Sequence, residues 1–395
     1  MKTLEVFMKY VAIFVPEFPV ASETFVVTEI NALRKLGHKV CVITMLKLSG
    51  AEHFDFPVFE LKRNHIGQSV KGLFAVQLDS LKNGLAIATK QRAIRNLSLL
   101  YFGIQCVHLI KSQGISHIHC HFMHSSLAYA VVAAKLANIT VSSVGHGHDV
   151  YVNTADLKPK VMASNFNIAV CEDMFNVLRK IKKEGIHLLH CGVDLSRYTS
   201  SFSNVNTNTR FLFIGRLVEK KGLCYALSAL SQIDKKHRPT LDIVGTGPLL
   251  EELKAQVARL ELSDCVNFLG FMTPNEIADK GGDYDAFLAP FCIADNGDKD
   301  TGPVVLKEAM AMGLPAITTD IMGCKEIINT SCGYTVESRN VAALKEAMLA
   351  FSTLDISTRK TMRHNARKRV FDHFNALTQG AILSFLIEQA DYENQ

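Results

Sequence analysis

Short apolar runs alternate with longer segments of mixed polarity along almost the whole chain. The runs are nearly continuous in apolar residues, many of them β-branched or aromatic, so they predict strands that are buried on both faces. Such strands are typical of parallel sheets covered by helices on each side. The first half contains YVAIFVP, KVCVITML, ISHIHCHF, ITVSSVG, FNIAVCE and HLLHCGV, and the second contains RFLFIGR, LDIVGTG, CVNFLGF, DAFLAPF and PAITTD.

The segments between these runs predict helices. SETFVVTEINALRKLGH, for example, offers Ser22 or Thr24 as a helix start, apolar residues at helical spacing and Gly37 as a stop. The alternation predicts an α/β protein built from two successive βαβ sets. Each set is expected to form a Rossmann-like, doubly wound parallel sheet that binds ligands at the carboxyl ends of its strands.

A polar segment divides the 395-residue chain near its middle. Residues 196–210 are rich in Ser, Asn and Thr and poor in apolar residues, as is typical of a linker. We therefore predict an N-terminal domain over residues 1–195 and a C-terminal domain over residues 211–375, facing each other across a cleft. Residues 376–395 are predicted to form a helix that packs back on the N-terminal domain.

Composition narrows the class of protein. Hydrophobic residues make up 48% and charged residues 21%, which favours a globular protein with an ample core. The ten Cys form no Cys-x-x-Cys pair, so we expect buried reduced thiols in a cytoplasmic protein. No apolar stretch is long enough to span a membrane, and charges at Glu5, Lys9 and Glu17 argue against a signal peptide.

The formal net charge of +5 leaves two interpretations open. One is an ordinary solvated surface. The other is attraction to an anionic substrate or to an anionic membrane surface. The basic residues in LKRNHIGQSVKG and TKQRAIRN would permit peripheral contact with such a membrane.

The first strand of the second half leads directly into FIGRLVEKKG. Gly215 frees the backbone at the strand end, and the cations Arg216 and Lys221 flank a turn closed by Gly222. Two cations in a first βα loop suit a diphosphate. Two solvated surface cations are the alternative.

A second glycine-containing turn follows in LDIVGTGPLLEEL. Gly245 and Gly247 end a strand, and Pro248 is placed to open a helix. The pattern is similar to a dinucleotide fingerprint but lacks the third glycine. A tight βα turn without a nucleotide is therefore an alternative.

Two interpretations compete for the segment DNGDKDTGPVVLKEAM. Asp298, Lys299 and Asp300 form an Asp-x-Asp triplet, which could hold a divalent metal on a nucleotide sugar. Alternatively, Asp300 and Glu308, eight positions apart, could both contact an organic ligand.

A helix in PVVLKEAMAMG would favour the organic ligand. Pro303 is placed to start it, so that Asp300 lies in the preceding loop and Glu308 in the second turn. With the break at Gly302 and Pro303, both carboxylates can line one pocket. The free N–H groups near Val304 and Val305 would attract phosphate there.

Two histidine-rich segments lie in the first half. HIHCHFMHSS carries histidines that share one face of a strand at positions 117, 119 and 121, followed by His124. We interpret them as strand-end histidines bonded to backbone rather than as a metal site, because no carboxylate lies nearby in sequence. SSVGHGHDVY presents His146, His148 and Asp149 at a strand end, where they could bind sugar hydroxyls or transfer a proton.

Taken in order, these motifs resemble the retaining GT-B glycosyltransferases of family 4, the large group that builds bacterial polysaccharides and lipopolysaccharides. The segment FPVASETFVVTEINALRKLGHKV resembles the N-terminal signature of the exopolysaccharide and colanic-acid branch. The motifs that follow, over nearly the whole chain, are HIHCHF, GHGHDVY, HCGVDLSRY, IGRLVEKKG, VGTGPL, VNFLGF and GPVVLKEAMAMGLPAITTD.

The resemblance implies a donor site in the second half. Arg216 and Lys221 would bind the donor diphosphate and stabilise the leaving group, and Glu308 would bind the ribose hydroxyls. Asp300 stands where the family usually has a Glu that touches the donor sugar, and its shorter side chain leaves donor identity open. The remaining predicted donor-binding positions are Gly215, Gly245, Gly302, Pro303, Val304 and Val305.

The resemblance also implies roles for the first half. His146 would lie near the donor sugar as a catalytic residue, with His148 as the second choice. The predicted acceptor side consists of Ser22, Glu23, Thr24, His121 and Asp149.

The implied reaction moves a sugar from a nucleotide-diphosphate sugar to a glycan or lipid-linked acceptor with retained anomeric configuration. Neither a cofactor nor a metal is expected, because Arg216 and Lys221 supply the cationic charge, and the Asp-x-Asp triplet is interpreted as coincidence. No nucleic-acid partner is expected. The alternative functions are a sugar-nucleotide epimerase and a catalytically inactive nucleotide-sugar-binding subunit.

Overall fold

The structure is a computed structural model that describes residues 8–198 and 208–390. Most of the predicted linker at 196–210 therefore lies outside the described residues, as do residues 391–395 of the predicted C-terminal helix. The described residues of Met1–Gly192 and Ala376–Gln395 form one compact unit, and those of Val193–Asn375 form a second. We call them the first and the second unit.

The first unit is built on a seven-stranded parallel sheet in the order β3-β2-β1-β4-β5-β6-β7. Its strands are β1 (Tyr10–Phe18), β2 (Lys39–Lys47), β3 (Val58–Glu60), β4 (His117–His121), β5 (Thr140–Val144), β6 (Phe166–Ala169) and β7 (Ile186–Leu188). Its helices are α1 (Thr24–Lys35), α2 (Ile66–Ala75), α3 (Leu78–Thr89), α4 (Asn96–Gln113), α5 (Ser125–Ala137), α6 (Gly147–Tyr151), α7 (Leu157–Ala163), α8 (Glu172–Ile181) and, from the end of the chain, α16 (Ala376–Gln389).

The second unit repeats this plan with six parallel strands in the order β10-β9-β8-β11-β12-β13. The strands are β8 (Arg210–Ile214), β9 (Thr240–Val244), β10 (Val266–Gly270), β11 (Ala286–Ala289), β12 (Ala316–Thr319) and β13 (Gly333–Val336). The helices are α9 (Leu223–Ser231), α10 (Leu250–Arg259), α11 (Pro274–Lys280), α12 (Val304–Ala311), α13 (Cys324–Ile327), α14 (Val341–Ser352) and α15 (Ile356–His373).

The doubly wound parallel architecture predicted from the apolar runs is confirmed in both units. Strand order reverses beside β1 in the first sheet and beside β8 in the second, so each sheet has a crevice at the carboxyl ends of those strands. The strands there are mostly buried, with β4, β5 and β11 buried along their whole length. Burial on both faces explains the apolar run of β11. In β4 and β5 the buried His, Thr and Ser side chains hydrogen-bond to one another instead.

Several boundaries differ from the prediction. The edge strands β3 and β13 were not predicted, because they are only partly buried and do not form continuous apolar runs. Helix α10 begins at Leu250, two residues after Pro248, which lies in a turn. Helix α1 begins at Thr24 with Glu23 at its N-cap, so the exposed Ser22 lies outside the helix.

Helix α16 packs within the first unit against α1. A Cβ atom on Gly380 would lie 2.7 Å from the Cβ of Ala32, so the absence of a side chain there allows the two helices to approach closely. The ring of His38, just before β2, is 2.7 Å from the hydroxyl of Ser384 on α16. Among the described residues, no helix is long and apolar enough to cross a membrane.

Two βα loops of the second unit press against each other at the ends of β8 and β9. The Gly215 N–H donates to the carbonyl of Val244, and the Leu217 N–H donates to the carbonyl of Thr246. Gly245 has a φ of +135°, and a Cβ atom on it would lie 2.0 Å from the Gly215 carbonyl oxygen. Gly245 is therefore required by backbone contact between loops, whether or not a nucleotide binds there.

Replacing Gly245 by Ala should lower the free energy of unfolding of the second unit by about 2 kcal/mol or more, since the change combines overpacking with backbone strain. Urea denaturation followed by circular dichroism measures the loss. Gly67→Ala is the control, because a Cβ atom there meets nothing within 4 Å. An equal effect of the two substitutions would contradict the loop-contact explanation.

Candidate functional site

Two lysines and two aspartates form a charge cluster at the crevice of the second unit. Lys220 and Lys221 lie in the turn after β8, and Asp298 and Asp300 lie in the segment after β11. The Lys221 Nζ is 2.6 Å from Asp300 Oδ2, and the Lys220 Nζ is 3.1 Å from Asp298 Oδ2 and 3.6 Å from Asp300 Oδ1. The two strands are neighbours in the sheet, which brings the two loops together.

All four side chains of the cluster are largely buried, with exposures between 13 and 22%. Burial by itself would raise the pKa of Asp300, but Lys221 and Lys220 outweigh it and hold that pKa below its ordinary value. Burial would likewise lower the pKa of Lys220, yet Asp300 and Asp298 raise it. The pairing therefore favours the charged forms of Asp300 and Lys220, and an incoming diphosphate would compete with Asp300 for Lys221.

The two carboxylates of the Asp-x-Asp triplet face lysines, so they do not form a shared open site for a metal. Asp298 faces Lys220, and Asp300 faces both lysines. Two adjacent ammonium groups would repel a divalent cation, so this arrangement favours the interpretation in which the triplet is not a metal-binding element.

Helix α12 begins beside the charge cluster. Pro303 is its N-cap, and Val304 and Val305 are the first helical residues, so their N–H groups lack partners within the helix. Glu308 is half-buried in the second turn, where it interacts with the hydroxyl of Tyr198. Burial is the main cause that raises the pKa of that hydroxyl, and Glu308 raises it further. Asp300 thus lies before the helix start, in the loop, and Glu308 lies after it, in the second turn.

Arg216, the other predicted cation of this loop, has different surroundings from Lys221. The Arg216 side chain is exposed, while Lys221 is held between Asp300 and the ring of Phe291, 4.7 Å from its Nζ. Lys220, which the sequence motifs did not single out, lies 3.1 Å from Asp298 Oδ2 and 3.6 Å from Asp300 Oδ1. In the sequence, the only indication of Lys220 was its position directly before Lys221.

In the first unit, His146 and Asp149 form the N-terminal cap of α6. The His146 N–H donates to Asp149 Oδ1 at 2.8 Å, and the Met123 N–H donates to Asp149 Oδ2. Asp149 is fully buried, and burial raises its pKa to about 6 despite these bonds. The carboxylate of Asp149 thus holds the loop that carries His146, and its place on the acceptor side stays a prediction.

The ring of His146 lies among aromatic side chains. Its centroid is 4.8 Å from that of Phe25 and 4.6 Å from that of Phe122, and it stacks on His121 at 5.8 Å. Burial, with a smaller effect of His121, lowers the pKa of His146 to about 3. The ring is thus neutral at physiological pH, which favours a hydrogen-bonding role over proton transfer, whereas His148 is exposed to solvent.

The histidines of β4 are bonded to side chains, which corrects the predicted bonding to backbone. His117 lies 2.7 Å from both Thr140 Oγ1 and Ser142 Oγ, and His119 Nδ1 lies 2.7 Å from the same Ser142 oxygen. Glu29 of α1, which the sequence motifs did not single out, places Oε1 3.0 Å from His121 Nε2. In the sequence, the only local indication of Glu29 was a carboxylate on a helix that otherwise faces the core.

The predicted acceptor-side residues 22–24 lie at the start of α1, close in sequence to Phe25 and Glu29. Ser22 is exposed, and Glu23 is half-buried at the N-cap. Burial raises the pKa of Glu23 to about 7, with His121 acting to lower it and Glu17 to raise it. The first unit thus presents a carboxyl group that titrates near neutral pH beside its histidine cluster.

Known protein families match both halves of the chain. Residues 22–197 match the model of Glycosyltransferase Family 4, and residues 199–369 match that of Glycosyl transferases group 1. A protein described as the colanic acid biosynthesis glycosyltransferase WcaL of Escherichia coli is 26% identical over 96% of this chain and 99% of its own length. The amylovoran biosynthesis glycosyltransferase AmsK of Erwinia amylovora is 26% identical over 86% of this chain and 89% of its own.

Solved structures with the same fold span the whole chain. The Anabaena protein HepE, solved in complex with UDP, superposes with a TM-score of 0.73 at 17% identity and covers 97% of this chain and 100% of that one. The lipopolysaccharide outer core galactosyltransferase WaaB superposes with a TM-score of 0.68 at 14% identity, over 98% and 100% of the two chains.

Two Rossmann-like units and these matches define the class as a glycosyltransferase of GT-B fold. Within that class the chain belongs to the family 4 glycosyltransferases, as the order of its motifs indicated.

Replacing Glu23 by Gln should change how stability depends on pH. Because the folded-state pKa of about 7 is above the ordinary value of 4.5, the Glu23 carboxyl should make the wild-type protein lose stability relative to the variant as pH rises from 4.5 to 7. Allowing for partial exposure, the difference should reach about 1–2 kcal/mol. Urea denaturation at several pH values measures it, with the exposed Glu184→Gln as control. Parallel curves for wild type and Glu23→Gln would contradict the prediction.

Proposed function

We propose that the protein transfers a sugar from a nucleotide-diphosphate sugar to a hydroxyl group of a glycan or lipid-linked acceptor during assembly of a polysaccharide. The observation that carries the proposal is the pair of lysines beside the start of α12, at the crevice where doubly wound sheets bind ligands. The names of the relatives, which refer to colanic acid and amylovoran biosynthesis, support an extracellular polysaccharide as the product.

In this proposal the donor diphosphate is bound by cations and by backbone groups. Negative charge grows on the outer phosphate as the anomeric bond breaks, and Arg216 and Lys221 would stabilise that charge without a metal at the diphosphate. The free N–H groups of Val304 and Val305, after Gly302 and Pro303, would add the positive end of a helix dipole.

The nucleoside is assigned to the neighbouring part of the second unit. Glu308 would accept hydrogen bonds from the ribose hydroxyls, since its carboxylate lies in the second turn of α12 and is only half-buried. Gly215 and Gly245 keep the loops after β8 and β9 free of side chains, which would let a ligand approach their backbone. The neighbour solved with UDP makes a uridine nucleotide the first to test.

Asp300 would change partners when the donor binds. It is the only carboxylate in contact with Lys221 among the described residues, and its 2.6 Å bond holds that lysine where the phosphate would bind. A diphosphate carries more negative charge than one carboxylate, so it would replace Asp300 at the lysine and leave the carboxylate to accept a hydrogen bond from the donor sugar. Asp300 is one methylene shorter than the family's usual Glu, which would select a differently placed hydroxyl group.

The first unit is assigned to the acceptor and to the transferred sugar. The neutral ring of His146 would donate or accept a hydrogen bond without gaining a proton, and Ser22, Glu23 and Thr24 at the start of α1 would meet the acceptor. Asp149 would act on the loop that carries His146 rather than on substrate, because both of its oxygens already accept backbone hydrogen bonds.

Retention of anomeric configuration completes the proposed mechanism. The acceptor hydroxyl would attack the face from which the diphosphate leaves, and the departing phosphate oxygen would take its proton. The oxygen–carbon bond to the acceptor forms as the bond to the phosphate breaks, so no covalent enzyme intermediate is required.

A basic and apolar surface of the first unit fits contact with an anionic membrane. Residues 61–98, which we call the α2–α4 segment, carry seven Lys and Arg and one Asp, so their net charge of +6 exceeds the +5 of the whole chain. The segment also exposes large apolar side chains, with Phe74 at 88%, Leu97 at 82% and Leu78 at 70%. Cations and exposed apolar groups together are typical of proteins that bind anionic lipid surfaces.

Membrane contact would fit a lipid-linked acceptor, and the free cysteines fit a reducing compartment. We therefore propose a peripheral protein on the cytoplasmic face of the membrane.

Replacing Lys221 by Met should lower kcat for sugar transfer by about 10²- to 10³-fold, because a preorganised charge at the leaving group is lost. The measurement is release of nucleoside diphosphate from UDP, GDP and ADP sugars with lipid-linked oligosaccharide acceptors. Product anomeric configuration, read by NMR, tests retention. Lys235→Met, an exposed cation of the same unit, should keep the wild-type rate.

Equal rates in the Lys221 and Lys235 variants would contradict the proposed diphosphate site. Tight binding of a nucleotide sugar by the wild-type protein with no turnover on any acceptor would identify a binding protein instead of a transferase.

The protein should co-sediment with vesicles that contain phosphatidylglycerol at low salt, and release at high salt should follow from charge screening. The double substitution Phe74→Ser and Leu97→Ser should weaken binding several-fold, because it removes the two most exposed apolar groups of the segment. Phe271→Ser, 66% exposed in the second unit, is the matched control. Indifference to lipid at low salt would contradict membrane contact.

A further inference from the structure

Three potential metal ligands converge in the first unit. Glu29 of α1 and His119 and His121 of β4 offer one ligand atom each, and the three atoms lie within 4.8 Å of one another. Glu29 Oε1 is 3.3 Å from His119 Nε2 and 3.0 Å from His121 Nε2. We propose that Glu29, His119 and His121 form a binding site for a divalent transition-metal ion, with zinc as the expected occupant.

The two separations between the glutamate oxygen and the histidine nitrogens match what a metal requires. Zinc binds histidine nitrogen and carboxylate oxygen at about 2.0–2.2 Å, so two ligands at a tetrahedral angle lie roughly 3.4 Å apart. The observed separations of 3.3 and 3.0 Å are close to that value. Two histidines and one glutamate also form a known zinc ligand set, with the fourth position left for water or another ligand.

Hydrogen bonding alone leaves this cluster unsatisfied. His119 is inaccessible to solvent, and its Nε2 has no hydrogen-bond partner even though the Glu29 oxygen is 3.3 Å away, because the ring is not aligned for a bond to it. Buried polar groups are normally paired, so the unpaired Nε2 of His119, which faces the Glu29 carboxylate, points to a missing partner.

The other nitrogen of His119 explains why a cation is the partner that fits. Nδ1 lies 2.7 Å from the hydroxyl of Ser142, which is also 2.7 Å from His117 Nε2. Ser142 has one proton to donate, so when it donates to His117 it accepts from His119 Nδ1. His119 Nε2 then presents a lone pair toward the Glu29 carboxylate, and the two groups repel each other. A cation bound between them would be coordinated by both. A hydrogen-bonded outer ring nitrogen is also what metal-binding histidines usually have.

The ion would have a route to the cluster. A cavity of the first unit lies between α1, the segment 189–192 and α16, and Glu29 forms part of its wall together with Thr28 and Gln379. The Glu29 side chain is 21% exposed while both rings are closed off, so the carboxylate is the side from which an ion would enter.

A bound ion would fix the position of an active-site ring. It would fasten α1 to β4 at the crevice of the first sheet, and it would lock His121, whose ring stacks on His146 at 5.8 Å and 19°. The site is built from residues of the first unit alone, whereas the lysine and aspartate cluster belongs to the second unit. It is therefore a positioning site, independent of how the donor diphosphate is bound.

The test begins with the wild-type chain, expressed in zinc-supplemented medium, purified without an affinity tag and assayed by elemental analysis. One zinc per chain is expected. After removal of the ion with a chelator, Co²⁺ should bind at one equivalent with a dissociation constant below about one micromolar and give the visible absorption of a four- or five-coordinate site. Chelation should lower the thermal midpoint, and Zn²⁺ should restore it.

Glu29→Gln and His119→Asn should abolish the Co²⁺ spectrum and the response of the thermal midpoint to Zn²⁺. The exposed His53→Asn, in the same unit, should retain both. A wild-type protein that binds neither ion at micromolar concentration would overturn the proposal, even if the variants fail to fold. Equal Co²⁺ binding by wild type, Glu29→Gln and His119→Asn would also overturn it, because the ion would then be bound elsewhere.

Discussion

Parallel strands end at one edge of their sheet, and helices that leave neighbouring strands toward opposite faces pull their loops apart at that edge. This constraint acts beside β1 in the first unit and beside β8 in the second, where strand order reverses. Every group to which we assign a chemical role lies near one of these two points. The loop after β8 carries Lys220 and Lys221, the segment after β11 carries Asp298 and Asp300, and α1 and β4 bring Glu29 to His119 and His121.

The two units accommodate buried ionisable side chains in different ways. In the second unit opposite charges are paired, and the bond to Lys221 favours the ionised form of Asp300 in a largely buried place. In the first unit burial removes the charge from His146, and an aromatic cage formed by Phe25 and Phe122 holds the neutral ring. Paired charges that can exchange partners suit an anionic ligand, while a fixed neutral ring suits the recognition of hydroxyl groups.

Much of the architecture follows from local pattern. Strands buried on both faces are mostly apolar, so eleven apolar runs were enough to predict the α/β class and two sheets. The edge strands β3 and β13 were missed because they are only partly buried, and α10 starts later than Pro248 suggested. The order of motifs was enough for the glycosyltransferase family, and the matches to both halves confirm it.

By itself the sequence determined the fold class, the family and the loops in which charged residues would be found, because these depend on periodicity and on residues close together in the chain. Only the tertiary structure decided which charges meet. Glu29 and His121 are 92 positions apart, and Lys221 and Asp300 are 79 apart, so no local pattern could pair them. The same holds for Asp149, whose carboxylate appeared available until the fold placed two backbone N–H groups against it.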